Sequence, residues 1–287
     1  MTKLILPVIN ANPAMSPEEE EGLDYMPMPS EMQTYRVPIL PEPETLKGVG
    51  AAKAVLDQLL SVVSSYQVGD IPTPIDMMQL DGKNRDLVQQ VLGEGEVQAR
   101  YQGTAAEYRI QESVFAGVWQ LQQFDLNGQL QQAEIEVSEF PQRFVEIVAP
   151  TGEMGLKLDE AMPEGLMNAP SILTEIVAKQ AEYEIGMPAH VINLTLLPIT
   201  PEDKKYMIDV LGGGNAVILS KGYGNCRITS TRLRHLWWVQ YFNTMDTLIL
   251  NTLEIIDIPQ VAKAAAEDIA DSAKRLQDLR QDYLQWV

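Results

Sequence analysis

At 287 residues and 45% apolar composition, the chain can fold as one large domain or two ordinary ones around a packed core. Forty acidic against 21 basic residues give a formal charge of −19, a field that repels nucleic acid and anionic lipid and suits a basic or neutral peptide partner. The single cysteine, Cys226, excludes an intrachain disulfide, a CxxC metal site and an iron–sulfur cluster held wholly within one chain.

The first 45 residues carry Pro7, Pro13, Pro17, Pro27, Pro29, Pro38, Pro41 and Pro43 around the acidic run Glu18 to Glu21, with no sustained period of 2 or 3.6. They read as an irregular acidic arm. The start, MTKLILPVINANP, is too short in its apolar run and too soon acidic for a secretory signal. No later stretch reaches the ~20 apolar residues of a membrane span. With a lone cysteine, the expected compartment is the cytoplasm.

From residue 46 a first module runs to about 150, opening with a helix over roughly 44–66 in which Val55, Leu59, Leu60 and Val63 fall at helical spacing. Asp81 caps a second helix and Gly93 and Gly95 stop it. After Pro141, RFVEIV has the composition of a strand. Residues 151–170 read as a linker, and 171–258 as a second module. That module has a helix from Ile172 to Ile185, a strand beginning HVINLTLLPI at His190, and a helix opened by Thr200-Pro201-Glu202-Asp203 and stopped at Gly212 to Gly214. Strands follow at AVILSKGY, NCRITST, LWWVQYF and LILNTLEII. Residues 259–287 form a C-terminal helix with an apolar stripe through Ile269, Leu276, Leu279, Tyr283 and Trp286. It is expected to pack on the second module, with a homodimer or partner contact as the alternative.

The two modules are one sequence written twice. VLGEGEVQARYQGTAAEYRIQESVFAGVWQLQQFD, from Val91, aligns with VLGGGNAVILSKGYGNCRITSTRLRHLWWVQYFN, from Val210, with one single-residue gap. After it the offset holds constant, matching Arg109 with Arg227, Trp119 with Trp237, Glu136 with Glu254 and Pro141 with Pro259. The expected fold is α+β: two tandem, internally repeated modules, each a mainly antiparallel sheet with helices.

The copies differ where chemistry is concentrated. Strand side chains alternate faces, so Trp119 and Leu121, matched by Trp237 and Val239, mark the core face. Trp238 then falls on the face that the first copy fills with Gln120 and Gln122. Beside it Arg232, Arg234 and His235 stand where the first copy has Val114, Ala116 and Gly117. Exposed Trp and Arg are typical of binding hot spots, so this hairpin reads as a recognition surface, the alternative being that Trp238 packs beneath the arm or the C-terminal helix. Cys226 shares the face of Ile228 and reads as a buried hydrophobe.

Catalytic readings are weaker. GEGEV and GGGNA lack GxxxxGK[ST], and His190 and His235 lack metal-ligand spacing. A Cys226–His235 pair would have no orienting acid nearby, which leaves a thiol enzyme as an alternative and predicts a chain that is not an enzyme and carries no cofactor.

The stretch GYGNCRITSTRLRHLWWVQYFNTMDTLILNTLEIIDIP resembles the C-terminal signature of the hydrogenase expression/formation proteins HupH, HoxQ and HyaF, and YMPMPSEMQTYRVPILPEPE, from Tyr25, is similar to their N-terminal motif. The resemblance implies a cytoplasmic accessory chaperone or scaffold for maturation of an uptake [NiFe] hydrogenase. It would act on the precursor of the iron–sulfur small subunit, with other maturation proteins as further partners. By motif it carries over Met26, Pro27, Pro29, Ser30, Glu31, Met32 and Tyr35 in the arm. In the hairpin it carries over Gly222, Tyr223, Gly224, Cys226, Arg227, Trp237, Gln240, Tyr241, Phe242 and Asn243, then Asn251, Thr252 and Glu254. The expected partner-binding set is Trp238, Arg232, Arg234, His235 and Arg227 with Glu31, Met32 and Tyr35. A homo-oligomeric structural protein held by the C-terminal helix is the remaining alternative.

Overall fold

The computed structural model describes residues 48–156, 163–222 and 224–282. The arm, with Glu18 to Glu21, Glu31, Met32 and Tyr35, lies outside them, as do Tyr223, Tyr283 and Trp286. In chain order the elements begin with α1 (Gly50–Ser65), β1 (Ile75–Asp76), α2 (Gly82–Leu92), β2 (Val97–Gln102), β3 (Glu107–Glu112), β4 (Val118–Phe124), β5 (Leu130–Val137) and α3 (Gln142–Val148). They continue with α4 (Ala169–Glu182), β6 (His190–Asn193), α5 (Pro201–Leu211), β7 (Ala216–Ser220), β8 (Asn225–Ser230), β9 (Leu236–Phe242), β10 (Leu248–Ile255) and α6 (Ala266–Asp282). The fold is α+β with antiparallel strand pairing.

Two compact units divide the described chain. The first comprises 48–144 and 263–282, and the second 145–156, 163–222 and 224–262. In the first, strands lie in the order β1-β5-β4-β3-β2; in the second, the order is β6-β10-β9-β8-β7. Their ladders correspond residue by residue. Glu112 faces Trp119 and Glu107 faces Phe124 in the first, while Ser230 faces Trp237 and Asn225 faces Phe242 in the second. Each closing pair of strands also carries an irregularity at the same place, beside Phe124 and beside Phe242.

Local chemistry explains the matching helices. Asp81 accepts the Asn84 N–H at 2.9 Å and Gly93 ends α2 at φ 56°. Thr200 and Asp203 form a capping box around Pro201, and Gly212 ends α5 at φ 57°. The third position of each of these helices also reaches the start of the preceding one: Asn84 Oδ1 accepts the Ala52 N–H at 2.8 Å, and Asp203 Oδ1 accepts the Ala169 N–H at 3.0 Å. Asp203 additionally gathers the N–H groups of Met167, Asn168 and Thr200. Burial alone would raise this carboxyl, but those backbone donors outweigh it and hold the group down at about 2.

The helices cover one face of each sheet. Val118, Ala133 and Ile135 share a core with α1 and α2, and Ile192, Leu236 and Leu253 share one with α4 and α5. Trp119 and Trp237 point to the opposite face and are buried too, each indole N–H donating to a main-chain carbonyl, Ser138 O and Asp257 O respectively. Both faces of β4 are therefore enclosed, and the expectation of an open glutamine face is corrected. Gln120 and Gln122 are buried, and Gln120 donates to Gly93 O at the end of α2.

Three further expectations change. RFVEIV is helical in α3: the Glu136 carboxylate accepts the Gln142 N–H at 2.6 Å just after Pro141, and Phe144 and Val148, four apart, are buried. The strand at His190 stops at Asn193, whose side chain accepts the Thr195 N–H and starts a 3₁₀ turn over Leu194–Leu196. The C-terminal helix α6 belongs to the first unit, not the second. It lies against α1, burying Ile269 and Leu276, while Arg275 donates to Val114 O and stacks over Phe115. Gly117 makes room for it, because a Cβ there would stand 2.4 Å from Ile269 Cγ1.

Asp203→Ala should destabilise the protein by about 2–4 kcal/mol, since four backbone donors lose a buried acceptor, and Asp203→Asn by less. Chemical denaturation would measure both, and equal costs would refute the capping account. Burial also pushes the Glu112 carboxyl up to about 7, opposed by the Gly117 N–H. Because the folded state favours the protonated acid, this group's contribution is full below about 4.5 and lost as pH rises through 7, on the order of 2–3 kcal/mol. Glu112→Gln should flatten the fall in stability between pH 5 and pH 8. An unchanged slope would show that burial of Glu112 does not set it.

Candidate functional site

The residues singled out by sequence converge on the β8–β9 connection of the second unit, Thr231 to His235. Thr231 shapes the turn by accepting the Leu233 N–H at 3.1 Å, and His235 closes it at φ 61°, where the first unit has Gly117 at φ 76°. A histidine in the left-handed region carries a backbone cost that glycine lacks.

The two turn arginines act inward. Arg232 donates through its guanidinium to Val210 O and through its N–H to Leu211 O, satisfying carbonyls at the C-terminal end of α5 with a favourably placed positive charge. The Arg234 guanidinium donates to Pro150 O at 3.1 Å. The segment read as a linker is thereby bound into the second unit: Glu153 pairs with the turn through Arg232 O and the Arg234 N–H, forming a parallel bridge to Leu233. Gly152 lies so near the turn that a Cβ would meet Arg234 N at 2.9 Å.

Gln180 locks this contact, and sequence reading missed it. Its side chain is 1% exposed, accepts the Gly155 N–H at 2.8 Å, and donates to Glu153 O and Arg234 O. The signal was a glutamine on the apolar stripe of α4, at the place where α1 carries buried Val63. A buried amide with both ends satisfied is a positioning group.

His235 is half-buried with its ring 5.1 Å from that of Tyr183, whose hydroxyl accepts the Asp257 N–H. Burial lowers its pKa, Arg234 adds to the effect, and Asp257 opposes it. Trp238 lies on the helix-covered face, partly buried against the apolar cluster of α4 and α5, and its indole N–H donates to Asn251 Oδ1 at 2.6 Å. It is covered neither fully nor by α6. Arg227, on the same face of β8, is buried, which lowers its pKa. The structure thus brings Arg232, Arg234, His235 and Trp238 to one side of the second unit, with Arg227 deeper along the strand.

Cys226 is 1% exposed and faces Tyr241. Burial pushes the thiol up to about 12, with Glu254 adding and a hydrogen bond to Tyr241 opposing. His235 lies beyond the far end of β8, roughly 15 Å along the ladder at ~3.3 Å per residue, so no thiol–imidazole pair forms. Among the described residues, no three His, Cys, Asp or Glu side chains converge as metal ligands, and no helix is long and apolar enough to cross a membrane.

Cys226 should resist alkylation at pH 8 in the native protein and react at an ordinary thiol rate once unfolded by denaturant. Rapid native labelling, followed by mass spectrometry, would overturn its placement.

Comparison with known proteins places this architecture. The profile of the HupH hydrogenase expression protein, C-terminal conserved region, matches residues 49–152 and 166–283, one stretch for most of each unit. The hydrogenase expression/formation protein HoxQ of Cupriavidus necator is 43% identical across 100% of this chain and 99% of its own length. HupH of Rhodobacter capsulatus is 39% identical over 96% of both chains, and the hydrogenase-1 operon protein HyaF of Escherichia coli is 31% identical over 91% of this chain and 92% of its own. Two profile segments in order, and relatives matched end to end, establish that the chain belongs to the HupH family of hydrogenase expression proteins.

Proposed function

We propose that this protein is an accessory chaperone in the maturation of an uptake [NiFe] hydrogenase, and that it binds the precursor of the iron–sulfur small subunit in the cytoplasm before that subunit is exported. The observation that carries the reading is the end-to-end match to relatives named for hydrogenase expression and formation. The asymmetry of the two units supports it. Their matched registers make them copies of one module, and the second has replaced buried Gln120 with partly exposed Trp238 and placed Arg232 at the surface beside it. An indole and a guanidinium at the surface of a chain with net charge −19 form a contact that a protein partner can anchor on. The arm residues Glu31, Met32 and Tyr35 complete the proposed contact, and the acidic run Glu18 to Glu21 draws in the basic end of the precursor. No reaction is required of any of these groups; the chaperone holds its cargo and releases it.

Trp238→Gln installs the residue of the first unit. Tagged wild-type protein should co-purify with the small-subunit precursor expressed in the same cells, and the variant should capture about tenfold less with an unchanged melting temperature. Absence of capture by the wild type would overturn the function. Equal capture by both would move the contact away from Trp238.

A further inference from the structure

The open edge of the second sheet differs from that of the first. In the first unit the edge is β1, two residues long, followed by buried Met77 and Leu80. In the second it is β6, four residues long, and no strand pairs with its outer side among the described residues. Val191 on this edge is 50% exposed, and Leu196 and Leu197, in and just after the 3₁₀ turn, are 80% and 37% exposed. On the neighbouring β10 and its turn, Ile249 and Met245 are exposed where the first unit has Gln131 and Asn127. Natural edges are normally blunted by charge, proline or brevity. This one carries apolar side chains instead, which marks an interaction surface.

The surface is ordered, not frayed. Thr195 Oγ1 accepts the Asn251 N–H at 2.8 Å, fixing the turn to β10, and the same Asn251 takes the Trp238 indole N–H. The acids near this edge are Glu184, exposed, and Glu175, which meets His190 at 2.7 Å. They belong to a chain of net charge −19, which disfavours pairing with a second copy.

We infer that β6 receives an extended segment of the partner protein as an added strand, with apolar side chains alternating along it and Lys or Arg at its ends. Main-chain hydrogen bonds to the outer side of β6 would supply affinity, and Val191, Leu196 and Ile249 would select alternate apolar side chains. The acidic surroundings would favour the basic ends. This deepens the chaperone reading and rests on it for the identity of the partner, but the edge can be tested without that partner.

The probe is a synthetic peptide of alternating Val and Thr residues flanked by Lys, compared with the same peptide carrying two central prolines, each mixed with the full chain and followed by amide hydrogen exchange. Protection of residues 190–197 by the first peptide alone, weakened about tenfold or more by a Leu196→Lys, Ile249→Gln double substitution that leaves the melting temperature unchanged, is the expected result. Equal protection by both peptides, or by neither, would overturn it. So would protection of 190–197 in the isolated chain: if constant with concentration it would assign the edge to another segment of this chain, and if rising with concentration to a second copy. Failure of precursor capture together with success of the peptide would reject the chaperone reading and keep the edge.

Discussion

Each unit depends on one side chain that caps two helices at once. In the second unit the Asp203 carboxylate collects backbone N–H groups from the start of α4 and from Thr200, the N-cap of α5, so that two helices and the segment before them share a single buried acceptor. Water cannot reach those donors, and no other acceptor is placed to take them, so the helix-covered core of Ile172, Ile176, Met207 and Leu211 forms only with Asp203 in position. The first unit solves the same problem with the neutral amide of Asn84. It gathers fewer donors and needs no charge to do it.

That arrangement positions the site. With α4 fixed, Gln180 near its C-terminal end reaches Glu153 and Arg234 together, and with α5 fixed, its last carbonyls stand where Arg232 can take them. The turn that looked like an array of recognition cations is therefore braced from inside by most of its own charges. What remains available to a partner is the indole edge of Trp238, the exposed part of Arg232 and the apolar margin of β6.

Much of this was readable before any coordinates. Asp81, Thr200, Gly93 and Gly212 announce the helix boundaries, and constant spacing from Arg109 and Arg227 through Glu136 and Glu254 announces matched ladders, because caps and register follow from local chemistry. The faces were not readable. Alternation identifies a core side only when the other side is wet, and here Gln111, Gln120 and Gln122 are buried by donating to or accepting from main chain. The helical state of RFVEIV depends on Glu136, six residues upstream of Gln142 and in another element, and strand-like composition gives no hint of it. The roles of Arg232 and Arg234 were also hidden, since a guanidinium bound to a carbonyl and one facing solvent look alike in sequence.

The place of α6 turns on one missing Cβ, and it makes the two modules unequal as donors of parts. Ile269 occupies the space above Gly117, whereas the matching position in the second unit holds the ring of His235 against Tyr183. A hairpin moved from the first unit into the second would bring a glycine to a position that already has left-handed backbone. The reverse graft would bring an imidazole into the volume of Ile269 and expel the C-terminal helix. Descent from one ancestral module has therefore left the copies interchangeable in one direction only, with the direction set by which copy the end of the chain returned to cover.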